Sequence, residues 1–103
     1  SRFIRAAFVK ANSVSSPGEI NSVNQFFHIL NSVAQPRGCC QVNPKEYEIT
    51  LYSSCCSAEK GIYYYTTYNN HQINAVRLFS SDYRSERLIH YPINHTEQIF
   101  FQN

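Results

Sequence analysis

Hydrophobic and polar positions follow two different periods along this chain, helical over its first third and alternating beyond it. From Arg2 to Ala11, Phe3, Ala6, Ala7 and Lys10 recur at helical spacing with Ile4 and Phe8 adjoining, which predicts a short helix over about 2–11. Arg2 and Arg5 then lie three residues apart on one helical face. The polar run Ser13-Val14-Ser15-Ser16-Pro17-Gly18 breaks that helix. Val23, Phe26, Phe27, Leu30 and Val33 repeat at three and four residues and predict a second helix over about 22–34, one side buried, with Asn21 or Ser22 as its N-cap. It must stop before Pro36, where Arg37-Gly38 turns the chain away.

Past that turn the period becomes two. Residues 46–54 read as a strand, with Tyr47, Ile49 and Leu51 on one face and Glu46, Glu48 and Thr50 on the other. Ser57-Ala58-Glu59-Lys60-Gly61 suits a hairpin connection, and residues 62–68 form a second strand of aromatic and β-branched residues. Asn69-Asn70 supplies a tight turn through the tolerance of Asn for positive φ, and residues 72–79 complete a meander. A short apolar run, Leu88-Ile89-His90-Tyr91, follows and is closed by Pro92. Two helices followed by an antiparallel sheet give the α+β class. One feature is unbalanced: the strand over 62–68 is apolar on both faces, as strands between two layers are, yet two helices cover only one face of a sheet.

Composition narrows the possibilities without naming a function. A chain of 103 residues is one small domain at most, burying about 60–65% of its unfolded surface. The hydrophobic fraction of 43%, with 8 Tyr and 7 Phe, is far above that of a disordered tail. Nine basic against seven acidic residues leave a net charge of +2, too balanced to argue for nucleic acid or an anionic membrane as partner. Three glycines exclude collagen-like and glycine-rich phosphate-loop architectures. No apolar run approaches the ~18 residues of a membrane-spanning helix. Ser1-Arg2-Phe3-Ile4-Arg5 does not resemble a secretion signal, so a soluble, cytoplasmic protein is expected.

The residues capable of chemistry do not converge on a site. The cysteines form two adjacent pairs, Cys39-Cys40 and Cys55-Cys56, a spacing unlike the two-to-four-residue separation of zinc ligands. Reduced thiols acting as small hydrophobes are expected, although an even count also permits disulfides. At the end of a strand, Cys55 and Cys56 point to opposite faces. Asn94-His95-Thr96 fits a glycosylation sequon, read as coincidence without secretion. His28 lies among Phe26, Phe27 and Leu30, where a hydrogen-bonded structural histidine is expected; His71 falls in a turn, and His90 and His95 lie near the end. Glu46 and Glu48 read as a solvated face. Tyr63-Tyr64-Tyr65 could stack a ligand, but sheet packing is the default. Ser1 has two readings, an N-terminal nucleophile or a mark of where the chain was cut. These residues supply no complete active site, no metal centre and no cofactor site.

Several long blocks nonetheless resemble the choloylglycine hydrolase family: Ser1-Arg2-Phe3-Ile4-Arg5-Ala6-Ala7-Phe8, Val23-Asn24-Gln25-Phe26-Phe27-His28-Ile29-Leu30 with Ser32-Val33, the run from Tyr47 to Cys56, and the run from Lys60 to Tyr68. The likeness runs from Ser1 to about Pro92, and within the family it is strongest to bile salt hydrolases of intestinal bacteria. It implies the C-terminal third of an enzyme with the four-layer αββα sandwich of N-terminal nucleophile hydrolases, which would explain a sheet with one uncovered face. It also implies hydrolysis of the amide joining a bile acid to glycine or taurine. The nucleophile in this family is an N-terminal cysteine whose α-amino group is the base. That cysteine and the family's catalytic aspartate and asparagines fall outside this chain, and Cys39, Cys40, Cys55 and Cys56 do not match it.

Within the chain, the resemblance assigns one catalytic residue, Arg2, the arginine of the serine-arginine-phenylalanine motif. A guanidinium beside a thiolate lowers the thiol pKa and stabilises developing negative charge. Arg5 is the runner-up, and the plain alternative is that both arginines are surface salt-bridge partners. The implied partners are conjugated bile salts, the N-terminal part of the same enzyme and further copies in a homotetramer, with no nucleic acid and no membrane. Two other functions remain open: a penicillin V acylase-like amidase, and a small non-catalytic module that holds amphipathic anions on the Tyr63–Tyr65 strand edge and Arg2 and Arg5.

Overall fold

The structure is a computed structural model, and it describes residues 1–78, 86 and 88–103. The chain forms two compact units, Ser1–Ser53 and Ser54–Asn103.

In the first unit, α1 spans Arg2–Asn12. Ser1 caps it, its Oγ accepting from the Ile4 amide, and Lys10 in the last turn complements the negative end of the helix dipole. Ser13 closes the other end with its Oγ on the Val9 carbonyl. The apolar side chains Phe3, Ile4 and Phe8 stand 81%, 67% and 68% exposed, so the stripe that predicts this helix is not buried within the chain.

The second helix, α2, spans Glu19–Asn31 rather than 22–34. Its N-cap is Gly18 and not Asn21 or Ser22. Gly18 adopts φ +106°, a conformation that side-chain-bearing residues rarely take, and so lets the chain enter the helix directly behind Pro17. Asn21 then lies in the first turn, reaching back to the Pro17 carbonyl at 2.9 Å. Ser22 makes a first intrahelical bond, to the Gly18 carbonyl. At the far end the bonds shorten in register: the Val33 amide meets Leu30 O and the Ala34 amide meets Asn31 O, so residues 32–34 tighten into a final turn instead of extending the helix. Phe27 is the buried hydrophobic residue of α2 and packs edge-on to Phe26, with ring centroids 6.5 Å apart.

The strand expected over 46–54 is divided. Glu46–Tyr47 (β2) pairs with Gln41–Asn43 (β1) around a turn set by Asn43, whose Oδ1 accepts from the Lys45 amide and whose Nδ2 donates to Glu46. The chain then leaves this ladder. The Thr50 amide donates to Gln35 O at 3.1 Å while its Oγ1 accepts from the Gln35 amide at 2.8 Å. A side chain that satisfies backbone groups in this way competes with strand pairing. Regular strand resumes only at Tyr52.

The second unit is built on a three-stranded sheet in the order β3 (Tyr52–Ser57), β4 (Ile62–Thr67), β5 (Asn70–Arg77), with β3 beginning at the end of the first unit. Residue 79, placed in the third strand by its pattern, lies outside the described residues. Gly61, at φ +65°, closes the β3–β4 turn through its amide on Ser57 O at 2.7 Å. The β4–β5 turn is made by Tyr68 and Asn69 rather than Asn69-Asn70, and among the described residues positive φ is confined to glycines. A turn of negative φ mismatches strand twist. The register absorbs the mismatch: between the pairs Tyr65↔Asn74 and Thr67↔Asn70, β5 advances four residues while β4 advances two. Ile62 to Thr66 are all half-buried, so the strand shows no buried and exposed alternation, as its two-sided apolar sequence predicts. Two helices with antiparallel sheets make the α+β fold expected.

Candidate active-site segment

Arg2 opens α1, and its Nε donates to the carbonyl of Val33 at 2.9 Å, 31 residues away. The acceptor is a main-chain oxygen at the end of α2, not a carboxylate. It belongs to the tightened turn that follows α2, two residues beyond the helix's last residue, Asn31. Arg5 sits one turn along α1, its amide bonded to Ser1 O at 3.1 Å. Both arginines are exposed in this chain.

The four cysteines are free thiols. Cys40 donates to Glu48 Oε2 at 3.2 Å, and that hydrogen bond, with burial and the carboxylate charge, raises its pKa. Burial first, and then the neighbouring Cys56, raises that of Cys55. Both effects keep sulfur protonated and unreactive, the reverse of what a nucleophile needs. Cys55 is half-buried and Cys56 exposed, as two successive positions of a strand require.

The histidines divide. His28 is exposed in the last turn of α2, not held among the phenylalanines: with Phe27 turned inward, the adjoining position on the helix faces out. His71 lies in β5 just after the turn, and its ring Nδ1 meets Glu97 Oε1 at 2.5 Å. Among the described residues there is no group of three ligand-type side chains able to hold a metal. Tyr63 and Tyr65 share a face of β4, with ring centroids 6.3 Å apart and planes tilted by 32°.

A polar cluster around Asn70 is one that sequence patterns did not reveal. Asn70 has no exposed surface; its Nδ2 donates to Asn94 O at 3.1 Å and its Oδ1 accepts from the Gln72 amide at 3.1 Å. The Asn94 amide donates to Tyr65 Oη at 3.0 Å, and Asn94 Nδ2 to Asn74 Oδ1 at 3.1 Å. Glu97 accepts from both the amide and the ring of His71. The segment 94–97, whose first three residues fit a sequon, is thus a strap across the β4–β5 hairpin.

Residues 1–97 match the linear amide C–N hydrolases of the choloylglycine hydrolase family. The chain belongs to that family. It is 52% identical over 103 residues to a bile salt hydrolase/transferase of Lactiplantibacillus plantarum, covering all of this chain and 32% of that protein. It is 39% identical over 99 residues to a bile salt hydrolase/transferase of Clostridium perfringens, covering 96% of this chain and 30% of that one. A crystal structure of a mutant conjugated bile acid hydrolase from Clostridium perfringens superposes with a TM-score of 0.84 at 40% identity, over 99% of this chain and 31% of the other. The chain therefore spans about a third of the length of these relatives. The choloylglycine hydrolase family has the N-terminal nucleophile hydrolase fold, and this α+β segment is part of it.

Proposed function

We propose that this chain is the C-terminal part of a bile salt hydrolase that cleaves the amide of glycine- or taurine-conjugated bile acids. The observation that carries this reading is identity of 52% sustained along all 103 residues with a bile salt hydrolase/transferase. In the proposed reaction an N-terminal cysteine outside this chain attacks the amide carbonyl and its α-amino group takes the thiol proton. The C–N bond breaks, the proton passes to the leaving amine, and water then hydrolyses the thioester to release the bile acid. Arg2 is the residue this segment contributes: its guanidinium favours the thiolate and offsets negative charge as the carbonyl oxygen becomes an oxyanion. A homotetramer in the cytoplasm belongs to the same reading.

The test is hydrolysis by the intact polypeptide that contains this segment, with glycocholate, taurocholate and penicillin V as substrates and released amine or side-chain acid measured by chromatography. Release of glycine or taurine is expected. Cleavage of penicillin V alone would make it an acylase instead. Binding of cholate by the 103-residue chain, with no turnover by the intact polypeptide, would overturn the enzymatic reading in favour of a binding module. Light scattering and cell fractionation decide the assembly and location.

A further inference from the structure

We propose that Thr50 is a positioning residue for Arg2, acting through Gln35 and the carbonyl of Val33. The inference rests on the role of Arg2 given above, and its whole path lies within the unit Ser1–Ser53.

Three contacts make the path. Half-buried Thr50 holds Gln35 from two sides, donating from its amide to Gln35 O at 3.1 Å and accepting on Oγ1 from the Gln35 amide at 2.8 Å. This pair of hydrogen bonds fixes the backbone immediately after α2, where the Val33 and Ala34 amides donate to Leu30 O and Asn31 O. Val33 lies two residues before Gln35, and its carbonyl receives Arg2 Nε at 2.9 Å. A guanidinium is planar, so a bond at Nε restricts the orientation of the plane and with it the directions open to both Nη groups. Those groups carry the remaining donors, the ones left to face a thiolate or oxyanion. An exposed arginine without such an anchor spreads over many rotamers. Misplacement of a catalytic group by about 1 Å costs on the order of 100-fold in rate, so the carbonyl's location bears on the chemistry although it touches no reacting atom. The strand break at residues 48–51 acquires a purpose in this light: the hydroxyl that interrupts the ladder is the one that pins the anchor.

The experiment is steady-state glycocholate hydrolysis by the intact enzyme. Thr50→Val removes the hydroxyl acceptor at nearly constant volume. It should lower kcat about 10-fold, within the range that misorientation produces, and leave KM nearly unchanged. The acidic limb of kcat/KM should move to higher pH, because a poorly placed guanidinium depresses the thiol pKa less. Thr50→Ser keeps the acceptor and should restore both values; Thr50→Ala serves if the valine variant does not fold. In an Arg2→Ala background, Thr50→Val should cost nothing further, since the two act as one unit. Losses that add in that background, or a serine variant as impaired as the valine one, would overturn the proposal, as would an unmoved pH profile. An Arg2→Ala enzyme with normal turnover would instead overturn the assignment of Arg2, and this inference with it.

Discussion

Asn70 and Asn94, 24 residues apart in sequence, are joined by a hydrogen bond from a fully buried side chain to a main-chain carbonyl at 3.1 Å. Asn70 also accepts from the Gln72 amide, so one side chain shapes the start of β5 and ties down the strap. Asn70→Ala removes a donor and an acceptor together, taking the donor from the Asn94 carbonyl and one acceptor from the Gln72 amide. A cost of about 1–3 kcal/mol follows for groups that stay out of water. Hydrogen–deuterium exchange on the intact protein should show faster exchange in peptides spanning residues 70–77 and 94–97. Unchanged protection in the strap would mean that Asn94 is held without Asn70.

The strap should also respond to acid. His71 donates to the Glu97 carboxylate from both its ring and its amide, and this holds the Glu97 pKa below the ordinary carboxylate value. A carboxyl whose folded pKa is depressed contributes stability that is present above its unfolded pKa and lost as pH falls through the folded one. Protection of residues 94–97 should therefore be constant near neutrality and decline below about pH 4, where carboxylates protonate. Salt should weaken it, since the pair stands at the surface. Glu97→Gln should remove the acid-dependent step while leaving the Asn94 bonds in place. A decline that persists in the glutamine variant would assign it to another group.

Much of the fold is visible in residue patterns, and the exceptions share a cause. The start of α1 was legible because its spacing is local, and α2 was legible for the same reason, apart from its ends. Those depend on Gly18, a cap without a side chain, and on a tightened last turn. The split of the strand over 46–54 depends on Thr50 meeting Gln35, 15 residues back, which alternation cannot encode. The strap is more remote still: Asn94 finds Asn74 and Tyr65 across 20 and 29 residues. As for the site, motif likeness singles out Arg2, but its anchor at Val33 is a main-chain atom and leaves no mark on residue identity.

Cys40 offers a check on thiol chemistry. Its hydrogen bond to Glu48, and the charge of that carboxylate, keep the sulfur protonated. Glu48→Gln removes the charge and should lower the thiol pKa, raising the rate at which Cys40 is alkylated by iodoacetamide at mildly alkaline pH. Mass spectrometry of the modified peptide reads this out, with exposed Cys39 as the internal reference. An equal rate in the two proteins would show that the carboxylate does not govern the sulfur.

The arginines on α1 provide the sharpest discrimination for the proposed activity. They lie on one helical face a turn apart and are both exposed in this chain, so simple surface roles would make their loss equivalent and small. Arg2 differs in being anchored at Nε by the end of α2, which leaves its remaining donors directed as a rigid fork. If that fork faces the reacting centre in the intact enzyme, Arg2→Ala should cut kcat for glycocholate by about 100- to 1,000-fold, the scale seen when one donor to a developing oxyanion is removed. Arg5→Ala should cost less than about 10-fold, the smaller loss expected of an arginine that donates to no reacting atom. Arg2→Lys keeps the charge but loses the Nε donor and the planar fork, so it should fall nearer to the alanine variant than to the native enzyme. Matching, minor losses at both positions would return the two arginines to the surface and leave the catalytic charge to be found elsewhere in the intact polypeptide.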